Sequence, residues 1–271
     1  MPELPEVETV ASELRSLIIG KTISRVQIFW QKTWQEQNPV LPLTGQTITA
    51  IERKGKFIII HLSVSYLVVH LRMTGQLLFR NNGESEEDNK HIHVKLFFND
   101  ETALFFKDTR KFGRIIHTGN PGPVLGRLGW DALNPTLTPA QFRKLLDQKK
   151  MNIKAFLLSQ AYIAGLGNIY ADESLFRAGI HPASMTHKIP LKRIGLLFET
   201  IQDVLNQAIR NMGSTISDYR DSFGNSGKNQ YFFKVYQRQG ETCQQCSSLI
   251  RKTRVAGRGT HFCPGCQKIY R

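Results

Sequence analysis

The sequence predicts an α+β chain in three parts: an N-terminal antiparallel β-sandwich opened by a helix, a helical domain, and a C-terminal hairpin that carries the cysteines. Three observations predict it. Seven short strand-like runs crowd the region before Asn120 with only short links between them, and a parallel pair would need a crossover of roughly a dozen residues. After Asn120-Pro121-Gly122-Pro123 the pattern turns helical. All four cysteines fall in the last 29 residues.

Apolar groups at Leu4, Val7, Val10, Leu14, Leu17 and Ile18 recur at helical spacing, so residues 4–18 read as a helix. Pro5 suits its first turn, Glu6 and Glu8 suit its electropositive end, and Gly20 can close it. The strand-like runs are Ile23–Trp30, Thr47–Arg53, Phe57–Leu62, Leu67–Met73, His91–Phe98, Thr102–Lys107 and Arg114–Thr118. Lys54-Gly55 and Asn99-Asp100 are turn candidates. The polar segment Asn81–Lys90, with Glu84, Glu86, Glu87 and Asp88, reads as an exposed loop. Beyond it, Thr138-Pro139 caps a helix running to Gln148, and Asn152–Gln160 is a second. Asn168–Ala178 is a third, opened by Gly165-Leu166-Gly167, and Leu191–Met212 is the longest. The expected division is a β-sandwich at 1–120, a linker at 121–134, a helical domain at 135–228 and a hairpin at 229–271.

Composition narrows the function. A hydrophobic fraction of 41% with 21% charged residues is not a disordered composition. No apolar run reaches the ~18 residues that a membrane helix needs. The acidic, proline-bearing N-terminus lacks the basic and apolar pattern of a secretory signal. Lys and Arg number 36 against 22 Asp and Glu, for a net charge of +14, and nine Lys/Arg against one acid lie between Lys228 and Arg271. Concentrated positive charge suits a polyanion such as nucleic acid; a merely basic, solvated surface is the blander explanation.

Cys243-x2-Cys246 and Cys263-x2-Cys266, 16 residues apart, can close a tetrahedral thiolate site around one Zn2+. Four thiolates leave no open position, so the ion is structural. Leu249–Val255 has strand character and Gly257–Thr260 reads as a turn, which sets Arg258 at the tip of a clamped hairpin as a candidate phosphate contact.

Three further features carry chemistry, each beside a plainer explanation. Removal of Met1 before proline would expose Pro2 as a secondary amine; an α-amino group of pKa about 7.7–8.0 can attack an aldehyde-like carbon, with Glu3 beside it to move protons. A helix-starting Pro-Glu pair is the alternative. Gly165-Leu166-Gly167-Asn168 opens a helix whose N–H groups can hold a phosphate, or is simply a tight interhelix turn. Arg72-Met73 and Arg110-Lys111-Phe112-Gly113 set apolar wedges beside cations, as side chains that enter a base stack do, or they place a core Met and a core Phe.

Together these residues resemble the bacterial formamidopyrimidine-DNA glycosylase family. The matching segments are Pro2-Glu3-Leu4-Pro5-Glu6-Val7-Glu8-Thr9, Arg53-Lys54-Gly55-Lys56-Phe57, His70-Leu71-Arg72-Met73-Thr74-Gly75 and Lys90-His91-Ile92-His93. Asp108-Thr109-Arg110-Lys111-Phe112-Gly113, Ala164-Gly165-Leu166-Gly167-Asn168-Ile169-Tyr170 and Val255-Ala256-Gly257-Arg258-Gly259-Thr260-His261-Phe262-Cys263 complete the set, in order along the chain. The resemblance implies a helix-two-turn-helix arrangement in the helical domain and a zinc finger in the hairpin. It implies a bifunctional glycosylase/AP lyase of base excision repair that acts as a monomer on oxidised purines in damaged double-stranded DNA, in the bacterial cytoplasm at the nucleoid. Pro2 is then the nucleophile at C1′, Glu3 serves proton transfer, Lys56 serves protonation and β-elimination, and Arg258 holds the lesion phosphate and assists δ-elimination. Asn168 holds the same phosphate, and His91, Arg110 and Lys149 contact DNA. Met73, Arg110 and Phe112 fill the gap left by the flipped base, and Glu6 lines the site. In the family a glycine-marked segment closes over an extruded purine. The counterpart here, Ser217–Gln230, keeps its glycines, but the residues after them do not align with that pattern. Two other readings share part of the pattern: an endonuclease VIII-type glycosylase for oxidised pyrimidines, and a non-enzymatic zinc-ribbon DNA-binding protein. The separated Met73, Arg110 and Phe112 disfavour the former; the latter leaves Pro2, Glu3 and Lys56 without a task.

Overall fold

Alternation of apolar side chains shapes the first part of the chain. The computed structural model describes residues 1–37, 41–81 and 89–271; the acidic run Glu84–Asp88 lies outside the described residues. Helix α1 (Leu4–Ile18) is followed by β1 (Ile23–Ile28), β2 (Trp34–Gln37), β3 (Ile48–Lys54), β4 (Phe57–Leu62), β5 (Tyr66–His70), β6 (Gly75–Arg80), β7 (Ile92–Phe98), β8 (Ala103–Asp108) and β9 (Arg114–Thr118). They form two sheets, ordered β1-β7-β8-β6 and β2-β9-β5-β4-β3. Val94, Leu96 and Phe98 of β7 with Leu104 and Phe106 of β8 turn inward at period two. They meet Ile58, Ile60, Leu67 and Val69 of the other sheet and the Val7, Val10, Leu14 and Ile18 stripe of α1 in one core.

Two strands escape the sequence pattern. Strand β2, Trp-Gln-Glu-Gln, buries only Trp34, and it runs parallel to β9, with Trp34 opposite Ile115; every other pairing in the two sheets is antiparallel. Strand β6 is too short and mixed to show alternation. The run expected to reach Met73 ends at His70, where the chain turns through Arg72 at φ +54°.

The chain divides into two compact units: Met1–Gly126 with Ile209–Gln230, and Arg127–Ala208 with Tyr231–Arg271. The first unit therefore regains a segment that the sequence reading groups with the helices. The reason is local: α1 presents Glu6 and Glu13, and each accepts a backbone N–H from this segment, Ser214 at 2.8 Å and Ser222 at 2.8 Å. Strand β6 adds Phe79 N–H to Ser222 O at 2.9 Å, and Tyr219 enters the sandwich core. A short helix α2 (Gly122–Leu125) ends the first stretch of this unit.

The second unit holds β10 (Trp130–Asp131), α3 (Pro139–Asp147), α4 (Ile153–Leu158), β11 (Ile163–Ala164), α5 (Asn168–Arg177) and most of α6 (Leu191–Arg210), then β12 (Arg251–Val255) and β13 (Arg258–Phe262). Thr138 and Gln141 close a capping box on α3. Helix α4 stops at Leu158, two residues short of expectation, because Gln160 is diverted: its side chain accepts Gly165 N–H at 2.9 Å and donates to Leu166 O at 2.8 Å. That builds the turn ahead of α5. Among the described residues, no helix is long and apolar enough to cross a membrane.

Candidate active site

In the first unit, the start of α1 gathers several of the residues that the sequence singles out. Pro2 and Glu3 are buried and Met1 is exposed. Glu3 is the N-cap, and Glu6 returns a carboxylate oxygen to Glu3 N–H at 2.7 Å. The other oxygen of Glu6 takes Ser214 N–H. Its neighbour Gly213 sits at φ +73°, and a Cβ there would lie 2.9 Å from Glu6 Cγ, so only glycine lets the segment approach this closely. Tyr219 donates its hydroxyl to Glu6 O at 3.4 Å; burial, with the Glu6 carboxylate beside it, pushes that phenol upward. Glu6 is thus fully engaged in fixing Glu3 and the Ser214 turn.

Lys56 occupies the turn between β3 and β4, and it is buried. Glu8 on α1 accepts from Arg53 Nε at 2.7 Å, and Arg53 also donates to Gly55 O at 3.1 Å. This pair fastens the turn that carries Lys56 to the helix that carries Glu3. His70, across from Phe57 in the β4–β5 register, was not singled out by the sequence as a site residue. Its Nδ1 accepts Arg72 N–H at 2.9 Å. Burial, then the Arg72 and Lys56 cations, lower its pKa to about 3, so the ring is neutral near pH 7, with its proton on Nε2.

The residues expected to act as wedges are exposed: Met73 at 38% and Phe112 at 47%. The core-packing alternative for them is thereby excluded. The Arg110 guanidinium lies over the Phe112 ring, 5.1 Å from its centroid. Both loops hang on one buried carboxylate. Asp108 accepts the Thr74 hydroxyl and the N–H groups of Arg110 at 3.1 Å and Gly113 at 2.7 Å. A Cβ on Gly113 would meet Phe106 Cζ at 2.4 Å, so the return of this loop also requires glycine. His93 Nε2 donates to Asp108 O at 2.7 Å, and His91 sits two residues away, half-buried at the entry to β7. Asp108 is legible in the sequence only as part of a motif. Asp108→Ala strands three donors, and the first unit is expected to lose about 2–3 kcal/mol of stability. Trypsin cleavage after Arg110 and Lys111 should accelerate with it; a loop cut at the wild-type rate contradicts the anchoring role.

In the second unit, Asn168 opens α5 and donates Nδ2–H to Gly259 O at 2.9 Å. That brings it beside Arg258, the neighbour of Gly259. The β12–β13 turn is Ala256-Gly257, both left-handed at φ +51° and +73°, a two-residue hairpin turn. Arg258 is therefore not at the tip: it is exposed as the first residue of β13, opposite Val255. Under the hairpin, the wholly buried Lys154 donates to Asp172 Oδ1 at 2.7 Å, Thr260 Oγ1 at 2.8 Å and Gly259 O at 3.2 Å. Asp172 Oδ2 takes His261 N–H at 2.8 Å. The sequence offered no signal for this pair beyond a Lys and an Asp in helical segments. Lys149 follows α3, its ammonium 4.9 Å from the Tyr162 ring centroid.

The four cysteine sulfurs lie within 4.8 Å of one another, with Cys243 to Cys266 at 3.8 Å and Cys246 to Cys263 at 3.3 Å. These separations exclude disulfides. A tetrahedron with Zn–S of about 2.3 Å has edges of about 3.8 Å, so the donor set fits one zinc ion. Phe176, Val235 and Ile250 pack against Cys243 and Cys263, and Glu173 accepts the N–H groups of Lys234, Val235 and Tyr236.

The fold and these sites define a class: a β-sandwich unit opened by a helix whose start buries Pro2, Glu3 and Glu6, together with a helical unit carrying a four-cysteine zinc finger. Family models match in the same order. The formamidopyrimidine-DNA glycosylase N-terminal domain covers residues 1–115, the formamidopyrimidine-DNA glycosylase H2TH domain 128–220, and the zinc finger found in FPG and IleRS 240–269. Formamidopyrimidine-DNA glycosylase of Halalkalibacterium halodurans is 42% identical, covering 99% of this chain and 100% of its own length. A solved complex of Lactococcus lactis Fpg with DNA containing an abasic site superposes with a TM-score of 0.87 at 36% identity, over 98% of this chain and 99% of that one. A structure of MutM with DNA containing carbocyclic 8-oxo-G gives 0.87 at 35% identity, over 98% and 100%. The chain belongs to the formamidopyrimidine-DNA glycosylase family, the glycosylases of base excision repair that also carry AP lyase activity.

Proposed function

We propose that this chain excises oxidised purines, chiefly 8-oxoguanine and formamidopyrimidines, from duplex DNA through a Schiff base on Pro2, and then opens the strand by β,δ-elimination. The observation that carries the reading is the N-terminal end of α1, where Pro2 and Glu3 are buried, capped by Glu6 and fastened through Glu8 and Arg53 to the turn bearing Lys56. With Met1 removed, the Pro2 nitrogen attacks C1′. The C1′–base bond breaks, its electron pair leaves with the base, and Lys56 supplies the proton. Glu3 takes the N–H proton that the Pro2 nitrogen gives up and passes it to the sugar oxygen as the ring opens, leaving an iminium between Pro2 and C1′. The iminium acidifies the C2′ hydrogen; Lys56, neutral after protonating the base, takes that proton as the C2′–C3′ double bond forms and the 3′ phosphate leaves, and a second elimination expels the 5′ phosphate. Water then releases Pro2.

The remaining roles follow the resemblance. Arg258 and Asn168 take the lesion phosphate, and the Asn168–Gly259 bond supports a shared grip. Lys149 and His91 contact DNA, and Met73, Arg110 and Phe112 fill the vacated stack. The neutral His70 adds an N–H donor beside Lys56. Cys243, Cys246, Cys263 and Cys266 hold the zinc ion, which keeps the hairpin folded. We read the chain functionally as a catalytic sandwich (1–120), linker (121–134), helix-two-turn-helix domain (135–228) and zinc hairpin (229–271), acting as a cytoplasmic monomer on nucleoid DNA.

Borohydride trapping tests the proposal on a duplex with one 8-oxoguanine opposite cytosine, followed by mapping of the crosslink. A covalent adduct on Pro2 is expected. An adduct only with oxidised pyrimidines overturns the purine assignment, and none with any lesion or abasic site overturns the lyase mechanism.

A further inference from the structure

The outer face of the β1-β7-β8-β6 sheet carries a groove of about 590 Å³ that the site above does not use. Four cations line it, Arg25, Lys90, Lys95 and Lys111, and among the described residues no acidic one does. Arg25 and Lys95 reach this face by register: Arg25 pairs with Phe97 and Gln27 with Lys95, while the intervening residues of β7 face the core. Each of three cations rests on a ring. The Lys111 ammonium is 4.1 Å from the Trp30 centroid, the Arg25 guanidinium 4.1 Å from that of Phe97, and Lys95 lies 4.7 Å from Phe105 and 5.6 Å from Phe29. A ring orders a cation without neutralising it. The aromatic faces are thereby occupied, so the groove presents charge rather than platforms on which bases stack. The Trp30 indole N–H, buried with no hydrogen-bond partner, adds a donor group on the same wall.

Position gives the ligand. Lys111 lies between Arg110 and Phe112, and Lys90 immediately precedes His91, so the groove begins where the DNA-reading loops end. We infer that it is a second contact for the phosphodiester backbone of duplex DNA, indifferent to sequence and lesion, which extends the interface past the wedge. The inference rests on the DNA-repair reading above.

The test is the salt dependence of binding, measured by fluorescence anisotropy on undamaged and 8-oxoguanine duplexes with the full-length, zinc-loaded protein. Arg25→Gln with Lys90→Gln removes two exposed cations that hold no core contact. The slope of log K against log salt is expected to fall by about 2 on both duplexes. Excision at saturating enzyme should keep its wild-type rate. A control, Lys188→Gln with Lys192→Gln, removes equal charge from exposed sites on the second unit and should leave the slope unchanged. An unchanged slope in the groove variant overturns the inference; so does an equal fall in the control, which would mark a net-charge effect. Wild-type protein that shows the groove-dependent slope but traps no Schiff base refutes the catalytic reading and leaves the groove standing.

Discussion

Blocking the N-terminal amine, by retained Met1 or by reductive methylation restricted to the terminus, is expected to abolish trapping and strand cleavage, with a loss of about 10³- to 10⁶-fold, the scale seen when a nucleophile is removed from a concerted site. The argument is chemical before it is structural. Only a free amine at residue 2 can form the iminium, and only the iminium makes the C2′ hydrogen acidic enough to leave. Pro2→Gly keeps a primary amine and should retain part of the activity. Glu3→Gln separates proton transfer from folding: its amide oxygen can still accept the N–H of Glu6 in the capping box, so the helix start survives while the rate falls about 10²- to 10⁴-fold. Trapping and thermal melting on the same samples distinguish these effects. A terminus shown by mass spectrometry to be fully blocked, yet still cleaving abasic DNA, would refute the nucleophile assignment.

Asp172→Ala is expected to destabilise the second unit by about 3–5 kcal/mol, because it leaves the wholly buried Lys154 ammonium without its counter-charge. It also strands the His261 N–H. The paired replacement Lys154→Met with Asp172→Leu should recover most of the stability, since an apolar pair of similar volume removes the desolvation cost. It should not recover the hydrogen bonds from Lys154 to Thr260 and Gly259, the two residues that follow Arg258. Denaturant melts therefore report one consequence of the pair and DNA affinity the other. A loss below about 1 kcal/mol on Asp172→Ala, the range of exposed pairs, sinks the assignment.

Why some of this was legible in the chain and some was not follows from the range of each interaction. Helix α1 announces itself through a stripe repeated within fifteen residues and ends where expected. The four thiols meet because two short spacings fix each pair locally. Asp108 and Asp172 work across 34 to 89 residues of sequence, to Thr74 and to His261, and a carboxylate aimed at backbone N–H groups leaves no pattern in its own neighbourhood. Strand β2 buries only Trp34, whose ring meets His117 of β9, and its other three side chains are exposed, so no alternation marked it in the sequence. Arg258 moved by one step from the expected tip because the Ala256-Gly257 turn uses Ala256 in a left-handed conformation that alanine seldom adopts.

The return of Ile209–Gln230 to the first unit bears on how this chain can be divided. Its peptide passes between the units three times, so neither is a continuous stretch of gene. A fragment cut after Gly126 would lack Tyr219 from its core and the Ser214 N–H that occupies Glu6. The carboxylate that fixes the start of α1 would then be half-satisfied, because its second partner lies some two hundred positions further along the chain. During translation, the sandwich is therefore complete only after residues 127–208 of the helical unit have been made, and still before the cysteine hairpin is.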